Sequence, residues 1–394
     1  MIPLRFLKIF EYILAVIFVY ANGSWAIFEN KYFVWGIMFI CLFIYLFLLL
    51  WNSSFKIQIP NIFVLFLAGF PILSSIINFQ NNINYLNVLN LTLTYIILSL
   101  FSNDNLISIL DKYARVIFIL SIVAIVFGSI SLIDYSIITR FPVRYAVGFG
   151  GELDRKGYYN IFIYTDRFIN DFRVQSIFWE PGAWAFNLGF SFYWLIFKMK
   201  EYKKLPFYIL SFLLAFSTSG FLLLLLGCLI IFFFNDNNIR NRVFMWLIVS
   251  LVGVISLINF AESKYGIPIS SYIKEQAIEK LSKKSDNNLS LESRLSSTDK
   301  AFKIASKNIV FGIGKINDSL FVTSTIAEIV YQLGFFYLLY FIFLFKKAFD
   351  SLPFIASWLF ILIMLNGEAY GGYILTSLLL VYGANTIRIK FKYA

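Results

Sequence analysis

Apolar runs of about 20 residues recur along the whole chain, and they limit what this chain can fold into. About 20 helical residues cross the ~30 Å apolar core of a bilayer, so each run is a candidate transmembrane helix. The composition agrees, because 60% of the 394 residues are hydrophobic and only 14% are charged. The sequence therefore predicts an all-α integral membrane protein with about twelve transmembrane helices, in a single polytopic domain over residues 1–394.

The predicted spans are residues 9–28, 32–51, 59–78, 84–101, 115–133, 179–197, two within 205–234, then 243–260, 323–345, 352–366 and 373–387. The first run could be a cleavable signal peptide, but a second run follows at once, which favours a retained span. The run 205–234 could be one long span or two short ones. Basic clusters flank it on both sides, and a single crossing would put them on opposite faces. We therefore predict two spans that meet at Ser217 to Gly220.

Basic residues are unequally distributed between the two predicted faces. With both termini in the cytoplasm, sixteen Lys and Arg residues and six acidic residues lie in cytoplasmic segments, and the short outer connections contain only Lys31. The other sixteen basic residues fall in two long loops, 134–178 and 261–322, which are therefore predicted to be external. No nucleic-acid-binding motif accompanies the net charge of +11, so we expect no nucleic-acid partner.

The two long loops differ in their predicted structure. Residues 134–178 are rich in glycine and tyrosine, which is typical of an irregular, mobile binding loop. In residues 261–322, apolar residues recur at helical spacing from 269 to 281 and from 291 to 309. This pattern predicts two short amphipathic helices on the membrane surface, although passive packing over the outer face explains it equally well. The glycines of Phe311-Gly312-Ile313-Gly314 are expected to end the second helix.

The chain contains no histidine, which removes the commonest general base and metal ligand. Carboxylates, hydroxyls, Lys and Arg must therefore carry any chemistry. Cys41 and Cys228 lie in apolar runs and are expected to be packing residues. Neither long loop has a carboxylate cluster at metal-ligand spacing, so we expect neither a metal nor another cofactor.

Two charged residues lie where a polar loop becomes a long apolar run. Arg173 ends the loop, and Glu180 precedes Pro181, which suits the first turn of a helix. A helix dipole would favour a carboxylate at that position. Glu180 is therefore either a poised base or an ordinary N-terminal cap, and Trp179 and Trp184 are expected at the membrane interface.

Several short motifs follow one another in a distinctive order. They are Arg173, Trp179-Glu180-Pro181-Gly182, Phe216-Ser217-Thr218-Ser219-Gly220, Ser293-Arg294, Phe311-Gly312-Ile313-Gly314, and a helix opening near Glu328 to Gly334. This order resembles the bacterial O-antigen and capsular polysaccharide polymerase family, which includes the O-antigen ligases. The resemblance covers residues from about 115 to 345.

The resemblance implies a glycosyltransferase that polymerises undecaprenyl-diphosphate-linked oligosaccharide repeat units into O-antigen or capsular polysaccharide. It would act at the outer face of the bacterial cytoplasmic (inner) membrane. Its donor and acceptor would be lipid-linked oligosaccharides, with membrane lipids, a chain-length regulator and a flippase as further partners. Ligases of the family carry a functional histidine in the second outer loop, so its absence here favours a polymerase.

Two alternatives stay open. One is an O-antigen ligase-like transferase. The other is a flippase or transporter of lipid-linked sugars. A transporter is expected to carry charges inside several spans, whereas this chain gathers them in two outer loops.

Polymerisation must deprotonate a sugar hydroxyl and neutralise a departing diphosphate. The predicted catalytic residues are Glu180 as the base, with Arg173 and Arg294 as planar partners for phosphate oxygens. The predicted substrate-binding residues are Arg140, Arg144, Trp179, Trp184, Ser217, Ser219, Glu328 and Glu368. Each arginine could instead bind a lipid headgroup. Glu368 could also belong to a tight outer turn.

Overall fold

The computed structural model describes residues 4–24, 30–51, 59–81, 83–134, 137, 143–146, 155–159, 164–167, 174–178, 181–266, 298–314, 324–367 and 373–392. These residues are mainly helical, as predicted. The helices are α1 (Leu4–Ala21), α2 (Lys31–Trp51), α3 (Ile62–Ile77), α4 (Tyr85–Ser99), α5 (Asn103–Ile133), α6 (Pro181–Phe192), α7 (Leu205–Ala215), α8 (Thr218–Phe234), α9 (Asn237–Tyr265), α10 (Thr325–Leu333), α11 (Phe335–Ala348), α12 (Phe354–Gly367) and α13 (Ile374–Lys392).

Shorter helical pieces complete these elements. α6 continues as a π-helix over Tyr193–Lys198, and 3₁₀ turns cover Phe79–Asn81, Tyr202–Lys204 and Ser306–Asn308. Residues 298–305 are also helical. The chain divides into two compact units. The first unit is Met1–Val116 with Ser290–Ala394, and the second unit is Ile117–Leu289.

Three helices of the described residues are long and apolar enough to cross a membrane, namely Lys31–Trp51, Asn103–Ile133 and Asn237–Lys264. Shorter apolar helices occur at Ile62–Ile77, Tyr85–Ser99, Thr218–Phe234, Phe354–Gly367 and Ile374–Ile387. Large apolar side chains such as Phe43 and Phe233 are more than half exposed on these helices, which suits contact with lipid. The chain is a multi-pass membrane protein, and the number of twelve spans stays a prediction.

Two long apolar runs are interrupted, one as predicted and one not. The run 205–234 is divided between α7 and α8, because Phe216 adopts a left-handed φ of 43° and ends the first helix. This confirms that the run forms two helices. The run 323–345 was expected to be one span, but it is two helices separated at Gly334, whose φ is 85°.

The first long loop contains a sheet that the sequence analysis did not predict. Strands β1 (Val143–Ala146), β2 (Arg155–Tyr159) and β3 (Tyr164–Arg167) pair antiparallel in that order. The expectation of a wholly irregular loop is therefore wrong. Its tyrosines agree with this pairing, because aromatic residues favour strands.

The second long loop is described from residue 298 to residue 314. The helical segment 298–305 packs Ala301 against Ala327 and Tyr331 of α10, whereas Phe302 is exposed. Gly312 and Gly314, with φ of 59° and 72°, follow the 3₁₀ turn and end the helical segment as expected. The predicted amphipathic helix at 269–281 lies outside the described residues.

A buried ion pair joins three helices of the first unit. Glu11 of α1 lies 3.1 Å from the Nζ of Lys112 of α5. The Glu11 carboxylate also accepts hydrogen bonds from Tyr45 of α2 at 2.8 Å and from Ser108 of α5 at 2.7 Å. Because charge is costly in lipid unless it is paired, this network fixes how α1, α2 and α5 pack.

Candidate functional site

α6 is the buried centre of the second unit. It begins at Pro181, as the sequence predicted, and its side chains are buried all round except at Gly182, which is half-buried. A helix that is apolar on every side is stable only when other elements surround it. α8 is one such element, since a Cβ at its Gly220 would be in ordinary contact, 3.5 Å, with the Cβ of Ala185.

A non-helical segment, Val174 to Phe178, precedes α6 and is fully buried. The N–H of Val174 donates to the carbonyl of Leu214 at 3.1 Å, near the end of α7. The N–H of Phe178 donates to the carbonyl of Gln175 at 3.1 Å, which closes a turn. Ser176 in this turn has a φ of 54°, a left-handed conformation that is uncommon for residues other than glycine.

The junction between α7 and α8 is also strained. Phe216 is bulky, yet its φ is 43°. Ser217 precedes α8 without capping it through its side chain, and its Oγ instead lies 3.0 Å from the Oγ of Ser219. Strained backbone of this kind often marks functional segments, because the surrounding structure must hold it in place.

The two segments meet around the first turns of α6. The Val174–Leu214 hydrogen bond joins the segment before α6 to the end of α7, close to the Phe216 break. The ring of Phe178 stacks on Trp184 with a centroid distance of 5.6 Å. We call Gln175, Trp184, Ser217 and Ser219 the polar cluster. The fold of the second unit thus gathers residues that are up to 44 positions apart in the sequence.

Two members of the polar cluster have buried polar atoms without a hydrogen-bond partner among the described residues. They are the Nε2 and Oε1 atoms of Gln175 and the Nε1 atom of Trp184. Both side chains are 0% exposed. An unsatisfied buried polar group costs about 1–3 kcal/mol. These atoms are therefore available for hydrogen bonds that the described residues do not supply.

Glu328 lies in the first unit, on the short helix α10. It is buried, and its Oε1 accepts a hydrogen bond from the Nε2 of Gln332 at 3.3 Å. Ser324 caps the helix by accepting from the N–H of Ala327 at 3.2 Å. A buried carboxylate in a membrane protein is expensive and usually functional, so this geometry keeps Glu328 a candidate.

The break after α10 is held by Phe311–Gly314, which we call the glycine loop. Its Ile313 and Gly314 N–H groups donate to the carbonyls of Tyr331 and Gln332, both at 2.9 Å. The N–H of Phe335 in turn donates to the carbonyl of Ile309 at 2.8 Å. The backbone groups released by the broken helix are thus satisfied inside the protein, as a membrane interior requires.

α3 holds the glycine loop from its other side. The Oγ of Ser75 donates to the carbonyl of Gly314 at 3.1 Å, and the Oγ of Ser74 donates to the carbonyl of Phe311 at 2.5 Å. The Nδ2 of Asn81 donates to the carbonyl of Ile313 at 3.1 Å. Hydrogen bonds at the glycine loop therefore connect α3 with the break between α10 and α11.

The predicted site residues are only partly described. Six of them lie outside the described residues: Arg140, Arg173, Trp179, Glu180, Arg294 and Glu368. The backbone of Arg144 lies in β1, opposite Gly157 of β2. Ser217 and Ser219 lie together at the start of α8, where the two predicted spans were expected to meet.

Trp184 differs from its prediction. It was expected at the membrane interface, where a tryptophan exposes its ring to headgroups. The structure buries it completely, because α6 is surrounded on all sides and the ring stacks on Phe178. It can therefore contact only a ligand that enters the protein interior.

Sequence reasoning missed Gln175 and Gly334. Gln175 is an uncharged amide at the edge of an apolar stretch, and this isolation was its signal. Gly334 was hidden inside an apolar run, where a glycine is usually tolerated without a break.

The described part of the chain has no group of three or more Asp, Glu, Cys or His residues that could hold a metal ion. The polar cluster itself contains amide, indole and hydroxyl groups, which donate or accept hydrogen bonds but carry no charge. It can bind and orient a ligand that bears hydroxyl groups. A base and a partner for phosphate must come from other residues.

Comparison with known proteins gives one positive result. A family model described as O-antigen ligase matches residues 206–335. No curated protein and no solved structure matches the chain. The matched residues include α8, α9, α10 and the glycine loop. Residues 206–335 are thus similar to an O-antigen ligase domain.

Proposed function

We propose that the chain is a membrane glycosyltransferase that polymerises undecaprenyl-diphosphate-linked oligosaccharide repeat units into O-antigen or capsular polysaccharide. The observation that carries the proposal is the O-antigen ligase match at residues 206–335. It supports a membrane enzyme of polysaccharide assembly that acts on lipid-linked sugars. The apolar helices agree with a substrate that is itself anchored in lipid.

The absence of histidine favours a polymerase over a ligase. Family resemblance assigns ligases a functional histidine, which this chain cannot supply. An O-antigen ligase-like transferase is the second candidate, because the matching family model carries that description.

The reaction joins two lipid-linked glycans. The acceptor hydroxyl loses its proton to a base while its oxygen bonds to the anomeric carbon of the donor. The bond between that carbon and the diphosphate breaks, and the diphosphate leaves with the bonding electrons. We assign the base to Glu180, with Glu328 and Glu368 as its alternatives.

The leaving diphosphate gains negative charge, which arginine neutralises through paired N–H groups. We assign this role to Arg173 and Arg294, and we assign binding of donor phosphate or sugar to Arg140 and Arg144. Trp179, Trp184, Ser217 and Ser219 would bind the glycan. No metal or other cofactor is part of this scheme. The site would face the periplasm or exterior of the cytoplasmic membrane.

The test is deletion of the protein from its host, followed by electrophoresis of the surface polysaccharide. Loss of a polymerase leaves a band with a single repeat unit, and the wild-type chain restores the ladder. Loss of a ligase instead stops all transfer of the glycan to its acceptor. Normal ladders in the deletion strain would contradict the proposal, and accumulation of repeat units at the cytoplasmic face would indicate a flippase.

A further inference from the structure

The unpartnered groups of Gln175 and Trp184 contrast with other buried polar groups of the second unit. The Nδ2 of Asn187, on α6, donates to the carbonyl of Ala183 at 2.9 Å. The hydroxyls of Ser191 and Tyr208 lie 2.6 Å apart and share a hydrogen bond. Protein interiors normally satisfy buried polar atoms in this way. The exceptions at Gln175 and Trp184 therefore require an explanation.

Gln175 and Trp184 belong to one small region of the fold. Gln175 closes its turn through the N–H of Phe178, and the ring of Phe178 stacks on Trp184. The same turn contains Ser176 in a left-handed conformation, and Val174 attaches it to the end of α7. Two unsatisfied side chains and a strained residue thus coincide where the polar loop enters α6, and strained backbone of this kind clusters at functional sites.

The chemistry of these atoms selects a class of ligand. The amide of Gln175 offers both donors and an acceptor, and the indole of Trp184 offers one donor. Diphosphate oxygens only accept hydrogen bonds, so they would leave the Oε1 of Gln175 without a partner. An isoprenoid chain would satisfy neither residue. Sugar hydroxyl groups donate and accept at once, and adjacent hydroxyls of one ring present both functions together.

We propose that Gln175 and Trp184 form a sugar-binding subsite that takes hydroxyl groups of the lipid-linked oligosaccharide. The proposal rests on the proposed function, which supplies the glycan. In the free protein these polar groups stay unsatisfied, and the bound sugar provides the missing hydrogen bonds. The subsite positions the glycan and takes no part in proton transfer.

The first measurement is thermal unfolding of the purified, full-length protein without ligand. Gln175→Met keeps the size of the side chain and removes an unsatisfied amide, so its melting temperature should equal or exceed that of the wild type. Asn187→Leu is the matched control on the adjoining helix, and it should unfold at a lower temperature because it removes a satisfied hydrogen bond. A lower melting temperature for Gln175→Met would overturn the proposal, since the amide would then have a structural partner.

The second measurement is binding of two lipids. One is the undecaprenyl-diphosphate-linked repeat unit extracted from the deletion strain, and the other is undecaprenyl diphosphate without sugar. Gln175→Met should bind the glycosylated lipid about tenfold more weakly than the wild type, as expected for the loss of two hydrogen bonds. Its affinity for the sugar-free lipid should not change. Trp184→Phe keeps the aromatic stack on Phe178. It should also weaken the binding of the glycosylated lipid and leave the binding of the sugar-free lipid unchanged.

Three outcomes would contradict the subsite. They are equal affinity of Gln175→Met and the wild type for the glycosylated lipid, an equal loss for both lipids, and no binding of the glycosylated lipid to the wild type. The first two leave the proposed function intact. Normal polysaccharide in the deletion strain contradicts the proposed function itself, so the two failures can be told apart.

Discussion

Gly334 shows how one residue determines the path of the chain in the first unit. Its φ is 85°, a backbone angle that residues other than glycine rarely adopt. A Cβ at this position would lie 2.2 Å from the carbonyl oxygen of Val310, next to the glycine loop. The break between α10 and α11 and the approach of the loop therefore both depend on this glycine.

We predict that Gly334→Ala strongly destabilises the protein. The left-handed backbone costs about 1–3 kcal/mol for a residue with a Cβ, and the contact with Val310 adds a packing penalty of about 1–3 kcal/mol. Thermal unfolding in detergent, followed by tryptophan fluorescence, measures the effect. Gly36→Ala is the control, since nothing lies within 4 Å of a Cβ there and alanine suits the interior of α2. Equal melting temperatures for both variants would show that the break tolerates a side chain.

The arginine assignments lead to a prediction that separates charge from geometry. If Arg173 and Arg294 bind diphosphate through two parallel N–H groups, lysine keeps the charge but loses the planar fork. Arg173→Lys and Arg294→Lys should therefore reduce polymerisation nearly as much as the alanine variants. Polysaccharide ladders from complemented deletion strains provide the measurement. Full ladders from both lysine variants would reduce these arginines to generic headgroup contacts.

For Glu180, we predict that Glu180→Gln abolishes chain extension while the protein still folds and binds donor. Glutamine keeps the shape and most hydrogen bonding but cannot accept the proton, and loss of a general base typically costs ~10² to 10⁴ in rate. The measurement is the polysaccharide ladder, with protein level and donor binding as controls. A normal ladder would return Glu180 to a helix-capping role and leave Glu328 or Glu368 as the base.

At the scale of elements, α1, α2 and α5 are held together by a charge network rather than by apolar packing alone. Glu11 and Lys112 are both largely buried, with side-chain exposures of 9% and 14%. Removing one member of a buried pair leaves an uncompensated charge, which costs more than the pair contributes.

We therefore predict an asymmetric double-mutant cycle. Lys112→Met should lose about 3–5 kcal/mol of unfolding free energy, because the Glu11 carboxylate stays buried without its counter-charge. The double variant Glu11→Gln with Lys112→Met should be more stable than Lys112→Met alone, since no charge remains. Reversible unfolding in mixed detergent gives these values.

The exposed pair Asp299–Lys303 supplies the control for this cycle. Its side chains are 58% and 74% exposed, so Lys303→Met should cost no more than about 1 kcal/mol. An additive cycle at Glu11 and Lys112 would show that the buried pair is energetically uncoupled.

The sequence predicts one broken run and misses the other for a physical reason. Basic clusters flank residues 205–234, and Ser217 to Gly220 interrupt the apolar side chains, so two helices were foreseeable. Residues 323–345 carry no comparable charge signal. Their break depends on hydrogen bonds from the glycine loop, which lies some 20 residues earlier and reaches Gly334 only in the folded chain. Such contacts cannot be seen in hydropathy.

For the whole molecule, the sequence establishes a multi-pass membrane protein and a resemblance that the match at residues 206–335 confirms. The candidate site is less predictable. Charged residues attract attention in a sequence, whereas Gln175 becomes distinctive only when burial leaves its amide without partners. Trp184 likewise looked interfacial until the fold surrounded α6.

Orientation in the membrane is the remaining whole-molecule property, and labelling tests it directly. Positive residues favour the cytoplasmic side, so Lys203 should lie inside and Thr218, at the junction of α7 and α8, should lie outside. Cys41→Ala and Cys228→Ala remove the only native thiols of the chain. In that background, Thr218→Cys should react with an impermeant thiol reagent added to intact cells, whereas Lys203→Cys should react only after lysis. Reaction of both from outside would place the two ends of α7 on one face and overturn the predicted topology.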